Sequence, residues 1–324
     1  MKDLLAFFYT ESPLHAGASA SEGIIDLPIQ REAHTRYPVV YGQSLKGALR
    51  QAAEEHPDWS DRAVVEVFGS PVGQGGPTTP GLLSVGDAQL VALPIPTLRR
   101  TFAWVTSVVA LGRLARKYRA ANMAAPRLPR EPAEALSTGH GWTAEQAFGP
   151  LVLHIGEADE QDLLQAWAER IRSDAFAHED AFAPFAAKFS QDLVLVHSDA
   201  MATLVEEGTE VSVRVQLSYG KSENDDGTQE NQKNTEPKRG TKTVQNGPFH
   251  SEYLPAETIL ASNLSLRGSR AGAEPDPEHV RLLTLLLHGS GTTLHQFGGD
   301  ESLGKGLVWT RLAGIDQGFE NGVA

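Results

Sequence analysis

The sequence predicts an α+β fold. Apolar stretches with the spacing of strands alternate irregularly with amphipathic stretches that have the spacing of helices, which favours α+β over a doubly wound arrangement. Two strand–helix–strand passages flank a middle region rich in proline and glycine, as expected for a ferredoxin-like βαββαβ plan with large insertions. At 324 residues and 40% hydrophobic content, the chain can bury the core of one large domain or of two ordinary ones.

The first third of the chain contains the elements of the first passage. It opens with an aromatic and apolar strand, DLLAFFYTES, followed by a loop that carries His15, and Asp26 also lies in a loop. Ser44 follows Gly42 and is predicted to cap a helix, LKGALRQAAEEH, with Lys46 at its start. The next segments are predicted as the end of a second helix, a loop, a strand interrupted at a Gly-Asp pair, and a strand that continues into a helix: VVEVFGS, SPVGQGGPTTPG, LLSVGDAQLVAL and FAWVTSVVALGRLARKYRAA.

Two stretches in the rest of the chain depart from this pattern. Residues 126–150 are dense in proline, glycine and small residues, which indicates an inserted excursion. Residues 220–247 are almost purely polar and are predicted to be a mobile loop, or one that orders on binding a partner, because they cannot bury enough apolar surface to order themselves. The other segments are predicted, in order, as a strand, two helices, three strands, a helix, and a glycine turn leading into a strand: LVLHI, EQDLLQAWAERI, AFAPFAAKF, DLVLV, EVSVRVQLSY, AETILASNLSL, PEHVRLLTLLLHG and QFGGDESLGKGLVWTRL.

The charge of the chain argues at first against nucleic-acid binding. There are 28 Lys and Arg against 41 Asp and Glu, a net charge of −13, whereas nucleic-acid binders draw affinity from basic residues on phosphates. The distribution is uneven, however, since no acid lies between Ala88 and Arg130. The basic residues of this stretch are Arg99, Arg100, Arg113, Arg116, Lys117, Arg119, Arg127 and Arg130. They indicate either a local anion-binding face or an ordinary solvated helix face.

Nothing in the sequence points to a membrane or to an oxidising compartment. No run of about 20 apolar residues is present to span a bilayer, and the N-terminal residues lack the features of a secretory signal. The chain contains no cysteine, which excludes disulfides and thiolate ligands, so any metal would be held by oxygen or imidazole. We expect a cytoplasmic protein.

The sequence nearly matches two enzyme motifs and lacks a third. GDESLGKG nearly matches the phosphate-binding loop G-x-x-x-x-G-K-[ST], but Gly306 replaces the hydroxyl residue and a strand-like segment follows. GQSLKG lacks the spacing of the serine hydrolase elbow. The eleven histidines form no H-E-x-x-H pair, which argues against a zinc site. The glycine loop is therefore interpreted either as a plain hairpin turn or as a place where main chain closely approaches a bulky partner.

Four side chains near the N-terminus are candidates for chemistry or anion binding. Ser44 and Lys46, with the main-chain N–H groups of a helix start, form a possible phosphate site, although an ordinary capped helix has the same pattern. His15 is suited to acid–base work near neutral pH or to contacting a phosphate, and equally to a polar surface. Asp26 is flanked by apolar residues on both sides, and an acidic residue in such a setting usually has a specific partner or function.

Several separated motifs, in order along the chain, carry a resemblance to a known family. They are SPLHAGASASEGIIDLPIQREAHTRYPVVYGQSLKGALR, SVGDAQLVALPI, FAWVTS, KTVQNGPFHSEYLP and FGGDESLGKGLV. Together they resemble the repeated backbone subunits of type III-B (Cmr) CRISPR effector complexes, which belong to the RAMP superfamily. The resemblance runs from the first strand to the last glycine loop.

This resemblance implies a fold, an activity and partners. The implied fold is a ferredoxin-like, RRM-related palm with a thumb-like β-hairpin, as a single domain over residues 1–324 with the two excursions noted above. Such subunits polymerise as a filament along a CRISPR guide RNA, beside the other Cmr subunits, and cut the bound target RNA at regular intervals with a divalent metal, Mg²⁺ or Mn²⁺. Base pairing then supplies the sequence specificity, while the protein contacts backbone and shape.

The resemblance also implies site residues. Asp26 matches the cleavage residue of the family, either holding the metal or positioning the attacking 2′-hydroxyl, and both roles remain open. His15, Glu252 and Tyr253 are further candidates for the cleavage site. The residues expected to contact RNA are Ser44, Lys46, Arg50, Gly298, Gly299, Lys305, Lys238, Arg239 and Lys242.

Three functions are therefore to be distinguished. In an RNA-guided endoribonuclease subunit, Asp26→Asn abolishes target cutting and leaves assembly intact. In a non-catalytic guide-RNA-binding scaffold, Asp26 is an ordinary loop acid and loss of Lys46 is the damaging change. A metabolic enzyme would require a cofactor motif, and none is found in the sequence.

Overall fold

The computed structural model describes residues 1–18, 23, 25–70, 78–142, 144–156, 160–219 and 242–315. This part of the chain contains seven α-helices and fourteen β-strands, so the mixed α and β composition expected from the sequence is confirmed. The helices are α1 Gly42–Glu55, α2 Asp61–Phe68, α3 Val108–Ala120, α4 Gln161–Ala175, α5 Ala183–Asp192, α6 Ser198–Glu207 and α7 Pro277–His288. The strands are β1 Lys2–Thr10, β2 Val39–Val40, β3 Leu83–Val85, β4 Ala88–Thr97, β5 Thr101–Thr106, β6 Leu136–Ser137, β7 Glu145–Phe148, β8 Leu151–His154, β9 Leu193–Leu195, β10 Glu210–Tyr219, β11 Lys242–Tyr253, β12 Ile259–Leu266, β13 Thr293–Gln296 and β14 Leu307–Leu312.

Twelve of these strands form one mixed sheet. Its central order is β13-β14-β1-β12-β4-β5-β9-β6. The first strand of the chain pairs antiparallel with β12, from Lys2↔Leu266 to Tyr9↔Ile259, and on its other side with β14. The pair β5–β9 is parallel, whereas the other pairs along this path are antiparallel. The first and last strands of the described chain are thus neighbours in the sheet.

The continuous apolar run of β1 is explained by burial on both faces of the sheet. Leu4, Ala6 and Phe8 join a cluster with residues of α1, α2 and α7. The alternate residues, such as Leu5 and Phe7, join a second cluster with residues of α3, α4 and α5. Successive side chains of a strand point to opposite faces, so a strand covered on both sides is apolar at every position.

Strands β10 and β11 form a separate two-stranded sheet. They pair antiparallel from Glu210↔Tyr253 to Tyr219↔Lys242, with an irregularity next to Arg214. On β10, the side chains of Val211, Val213 and Val215 are exposed. The position of this hairpin relative to the main sheet therefore depends on the contacts near its base, which are described below.

Helix α1 begins earlier than the sequence predicts, and its cap is different. The prediction that Ser44 caps the helix is wrong, because the helix begins at Gly42 and Ser44 lies exposed within its first turn. The N–H of Gly42 donates instead to the carboxylate of Asp87, at 2.8 Å. A Cβ on Gly42 would lie 2.2 Å from the carbonyl oxygen of Val85, so only glycine permits this approach.

Three further expectations are corrected by the structure. Residues 126–150 include strand β6 and strand β7, so the excursion is partly built into the main sheet. Helix α6 was missed, although Met201, Leu204 and Val205 have the helical spacing of its buried face. Residues 242–247 were expected in a polar loop, but they belong to β11, which pairs with β10. The rest of that loop lies outside the described residues.

Over the same described ranges, no helix is long and apolar enough to cross a bilayer.

Glu257, in the turn between β11 and β12, is a carboxyl in apolar surroundings. It lines a pocket with Ile95, Phe102 and Pro255, and its Oε2 has no hydrogen-bond partner among the described residues. Burial raises the pKa of this carboxyl to about 7. Because the folded-state pKa lies above the unfolded one, the unfolded chain loses its proton first, and Glu257 destabilises the fold as the pH rises from about 4.5 to about 7.

We therefore expect Glu257→Gln to raise the melting temperature at pH 8 by about 2–4 °C. At pH 4 the carboxyl is protonated in both states, so the variant and the wild type should melt together. Thermal unfolding at the two pH values measures this, with Glu179→Gln, at an exposed position outside the pocket, as a control. An equal rise at both pH values would show that the effect is not one of ionisation.

Candidate functional site

Asp26 lies in a loop that runs beside β11. Its Oδ2 accepts a hydrogen bond from the main-chain N–H of His250, at 2.7 Å, and lies 3.6 Å from His250 Nδ1. The next residue, Leu27, bridges to Ser251 of the same strand. The Asp26 side chain is nevertheless 54% exposed, so a carboxylate is held at a defined place and remains open to a ligand.

The buried carboxylate of Glu252 holds this loop in place from the protein interior. Its Oε1 accepts from Arg31 Nη2 at 2.5 Å and from the Thr209 hydroxyl at 2.8 Å, and its Oε2 accepts from the N–H of Ile29 at 3.0 Å. The Arg31 and Glu252 side chains are only 5% and 3% exposed. A buried carboxylate with three donors is well satisfied, and it joins the Asp26 loop, the end of α6 and β11 at one point.

His15 lies along the same edge of β11 as the Asp26 loop, because the N–H of Glu252 donates to Leu27 while the carbonyl oxygen of Glu252 faces His15. Its Nδ1 is 2.7 Å from the carbonyl oxygen of Glu252, and its ring centroid is 5.5 Å from that of Tyr253. Because a carbonyl only accepts, Nδ1 is the nitrogen that carries the proton in the neutral ring, and Nε2 keeps a lone pair. The half-buried imidazole is therefore oriented with a basic nitrogen available.

Tyr253 belongs to a polar cluster with β10 and the glycine-rich loop, residues 298–306. Its hydroxyl donates to Asp300 Oδ2 at 2.8 Å, and Arg214 Nη1 donates to the same oxygen at 2.6 Å. Burial and the adjacent carboxylate raise the pKa of the Tyr253 hydroxyl. Burial alone would raise the pKa of Asp300, but the hydrogen bonds from Arg214 and Tyr253 lower it below its usual value. Lys305 places its ammonium 5.2 Å from the centre of the Tyr253 ring.

The glycines of the same loop permit its close packing on the His15 segment. The N–H of Gly299 donates to the carbonyl oxygen of His15 at 2.9 Å. Gly298 has φ of 74°, and a Cβ there would lie 2.3 Å from that same oxygen. Larger residues would push the loop away from His15.

A second group of predicted residues surrounds a pocket at α1. Lys46 Nζ donates to the carbonyl oxygen of Leu83 at 2.7 Å, and Arg50 Nη1 to that of Gly69 at 2.9 Å. Lys46 and Arg267 both line this open pocket. Burial, and then the neighbouring charges of Arg267 and Arg50, lower the pKa of the Lys46 ammonium. Three cations close together favour an anion between them.

The basic stretch Ala88–Arg130 does not form a single free face. Arg100 pairs with Asp192 at 2.7 Å and Arg113 with Glu32 at 2.8 Å. These ion pairs give part of the stretch a role inside the fold, which neither interpretation of the pattern anticipated.

The structure thus brings together part of the predicted set. Asp26, His15, Glu252, Tyr253 and the loop with Gly298, Gly299 and Lys305 are linked through β11, whereas Ser44, Lys46 and Arg50 belong to α1. Lys242 opens β11, and Lys238 and Arg239 lie outside the described residues. Prediction from sequence missed Thr209, Arg214, Arg267 and Asp300, which are distant in the chain from the residues they contact.

The residues around Asp26 fit one kind of metal site. Among the described residues, no three or more His, Asp and Glu side chains gather as ligands for a metal ion. Mg²⁺ is nevertheless often held by one or two carboxylates, with water and substrate phosphate completing its shell. The exposed Asp26 carboxylate is suited to that arrangement and not to a closed protein cage.

Comparison with known proteins identifies the family. The model of the RAMP superfamily matches residues 7–309. The CRISPR system Cmr endoribonuclease Cmr4 of Pyrococcus furiosus is 30% identical over 317 residues, which is 96% of this chain and 96% of that protein. The structure of oligomeric Cmr4 from Pyrococcus furiosus superposes with a TM-score of 0.69 at 24% identity, over 98% of this chain and 99% of that one.

A chain of the type III-B Cmr-beta complex bound to cognate target RNA matches with a TM-score of 0.66 at 17% identity, over 97% of this chain and 98% of that one. At these identities the two structures show the shared fold. The superfamily match and the relative in Pyrococcus furiosus extend over nearly the whole sequence. The chain therefore belongs to the RAMP superfamily, and within it to the family of Cmr4.

Proposed function

We propose that this protein is the backbone subunit of a type III-B CRISPR effector, that it assembles along a guide RNA with copies of itself and other Cmr subunits, and that it cuts the complementary target RNA. The observation that carries the proposal is the 30% identity over 96% of the chain to an endoribonuclease named Cmr4. The fold shared with a chain of a Cmr complex bound to target RNA supports the same assignment. The proposed place of this activity is the cytoplasm, as expected from the sequence.

A ferredoxin-like palm and a thumb are part of this proposal. In the main sheet the order β14-β1-β12-β4, with α1 after β1 and α7 before β14, supports a βαββαβ core. The separate β10–β11 hairpin is our candidate for the thumb.

Asp26 is the proposed cleavage residue. In RNA cleavage of this type, the 2′-oxygen attacks the adjacent phosphorus, the bond from phosphorus to the 5′-oxygen breaks, the 2′-hydroxyl loses its proton and the leaving oxygen gains one. Asp26, open to solvent and fixed by His250, can either orient the 2′-hydroxyl or hold a divalent ion, Mg²⁺ or Mn²⁺. Such an ion, when bound, would neutralise charge on the phosphate.

His15 is the proposed acid–base partner, because its Nε2 keeps a lone pair while Nδ1 faces a carbonyl oxygen. Glu252 and Tyr253 remain predicted members of the site. Their contacts support roles in holding Asp26 and His15 in place, since the carboxylate of Glu252 and the hydroxyl of Tyr253 are both occupied by protein partners.

The proposed contacts with the RNA backbone are electrostatic and come from two places. The α1 group supplies Ser44, Lys46 and Arg50, and the glycine-rich loop supplies Lys305 with the main chain of Gly298 and Gly299. Lys238, Arg239 and Lys242 complete the set as predictions. Because the subunit is acidic overall, tight binding is expected from the ordered array of copies.

We expect Lys46→Ala to weaken guide-RNA binding by the assembled subunits about three- to tenfold and to reduce the slope of log affinity against log salt by about 0.7 to 1. Each cation that binds a phosphate releases a counterion from the RNA, and this variant removes one such cation. Binding titrations between low and moderate salt measure both quantities, with the exposed Lys2→Ala as a control. An unchanged slope would remove Lys46 from the RNA interface.

The function itself is tested by incubating a reconstituted complex with labelled RNA complementary to the guide, in Mg²⁺ or Mn²⁺. Evenly spaced products that depend on the guide support the nuclease. Guide binding without products from a complex that contains the other subunits would instead favour the scaffold.

A further inference from the structure

The β10–β11 hairpin carries the groups that hold Asp26, yet it is not part of the main sheet. Its orientation is therefore set at its base, where main-chain bonds join β11 and the residue that follows it to Leu27 and Leu14 and side chains add further contacts. Two neighbouring residues of β11 supply such side chains on opposite faces, because successive side chains of a strand alternate. Glu252 reaches Arg31, Thr209 and Ile29, as described above, and Tyr253 reaches Asp300 in the glycine-rich loop.

Asp300 occupies a special place in that loop. It is a non-glycine residue with φ of 65°, in the left-handed region, where Asp and Asn are the most tolerated side chains. One oxygen, Oδ2, accepts from both Tyr253 and Arg214, and the ion pair it makes with Arg214 is only 16% and 25% exposed. The two partners lie on the two strands of the hairpin, so a single carboxylate ties both strands to the loop.

The contacts of Asp300 are connected to both candidate cleavage residues, His15 and Asp26. The ring of Tyr253 packs on that of His15, and the main chain of His15 is bonded to Gly299, next to Asp300. Arg214 follows Val213, which pairs with His250, the residue whose N–H holds Asp26. A shift of the hairpin relative to the glycine-rich loop would therefore move both Asp26 and His15.

We propose that Asp300 is a positioning residue that fixes the β10–β11 hairpin through Arg214 and Tyr253, and thereby sets the placement of Asp26 and His15. The inference rests on the proposed function for its effect on cleavage, but the fastening itself can be measured without any cleavage. Charge-assisted hydrogen bonds of this kind are the strong ones in proteins. The glycine-rich loop nearly matches a phosphate-binding motif in sequence. In this structure its acidic residue, Asp300, contacts protein side chains instead.

The test variant is Asp300→Asn. Asn has nearly the same shape and is also tolerated at positive φ, so the loop is kept while the charge is removed. Glu301→Gln, at the exposed neighbouring position, is the matched control. The reporter is hydrogen exchange of the His250 amide, which donates to Asp26, measured at single-residue resolution in the isolated protein alongside its melting temperature.

We expect the His250 amide to exchange about tenfold faster in Asp300→Asn than in the wild type, with little change in Glu301→Gln. Arg214→Gln should have a similar effect, and the double variant should exchange little faster than either single one, because both remove the same contact. Unchanged exchange at His250, or an equal increase in Glu301→Gln, would overturn the proposal.

In the assembled complex, Asp300→Asn should lower kcat for target cleavage about tenfold while KM stays within about twofold, since positioning acts on the chemical step. A rise in KM at unchanged kcat would show instead that Asp300 serves target binding, against the proposal. If the wild-type complex does not cut RNA, the proposed nuclease function fails, and the exchange experiment still decides whether Asp300 fastens the hairpin.

Discussion

We expect Asp26→Asn to lower target-RNA cleavage at least about 100-fold, the loss typical of removing a catalytic acid–base or ligand group. Assembly and guide binding should be unchanged, because the side chain is half exposed and the amide oxygen of Asn can still accept the hydrogen bond from His250. The measurement is single-turnover cutting of labelled target by complexes of matched composition, with guide binding measured in parallel.

The control for this change is Asp58→Asn, which removes an equivalent charge from an exposed position outside the site. It should cut at the wild-type rate. If Asp26→Asn also lost guide binding, the residue would have a structural role, and if both variants cut normally, Asp26 would have no part in the reaction.

We expect Glu252→Ala to destabilise the fold by about 3–5 kcal/mol, the range found when one partner of a buried ion pair is removed. The change leaves Arg31 charged and almost fully buried without its carboxylate, and it frees the N–H of Ile29 and the hydroxyl of Thr209. Denaturant unfolding of the isolated protein measures this free energy.

Glu169→Ala provides the comparison, because Glu169 pairs with Arg172 on the exposed surface of α4. This variant should lower the free energy of unfolding by no more than about 1 kcal/mol. Equal losses in the two variants would mean that the buried contacts of Glu252 do not stabilise the fold as described. A Glu252→Ala protein that is fully stable but inactive would give Glu252 a direct part in catalysis.

Local patterns in the sequence were sufficient for much of the fold. The unbroken apolar run of β1 indicated a strand, and burial on both faces explains it. The break at Gly86-Asp87 was predicted within an apolar stretch, and it separates β3 from β4. Such features depend on residues close together in the chain, so they can be recognised without knowing the tertiary structure.

The contacts that hold the site could not be predicted in the same way. The cap of α1 comes from Asp87, 45 positions after Gly42. Arg214 and Asp300 are separated by 86 positions, and Arg31 and Glu252 by 221. Each of these pairs forms only when distant segments of the chain meet, and no spacing in the sequence indicates the partner. The placement of Asp26 in a loop was predicted, whereas its attachment to β11 was not.

We expect each subunit of the assembly to cut RNA through its own Asp26. Complexes assembled from wild-type and Asp26→Asn subunits in known proportions test it most directly, with the products of a labelled target quantified at each cut position. Every product should fall in proportion to the mutant fraction, the spacing should stay constant, and no product should remain in the fully mutant complex. Product yields that do not depend on the mutant fraction would contradict it, because the cutting would then come from another component.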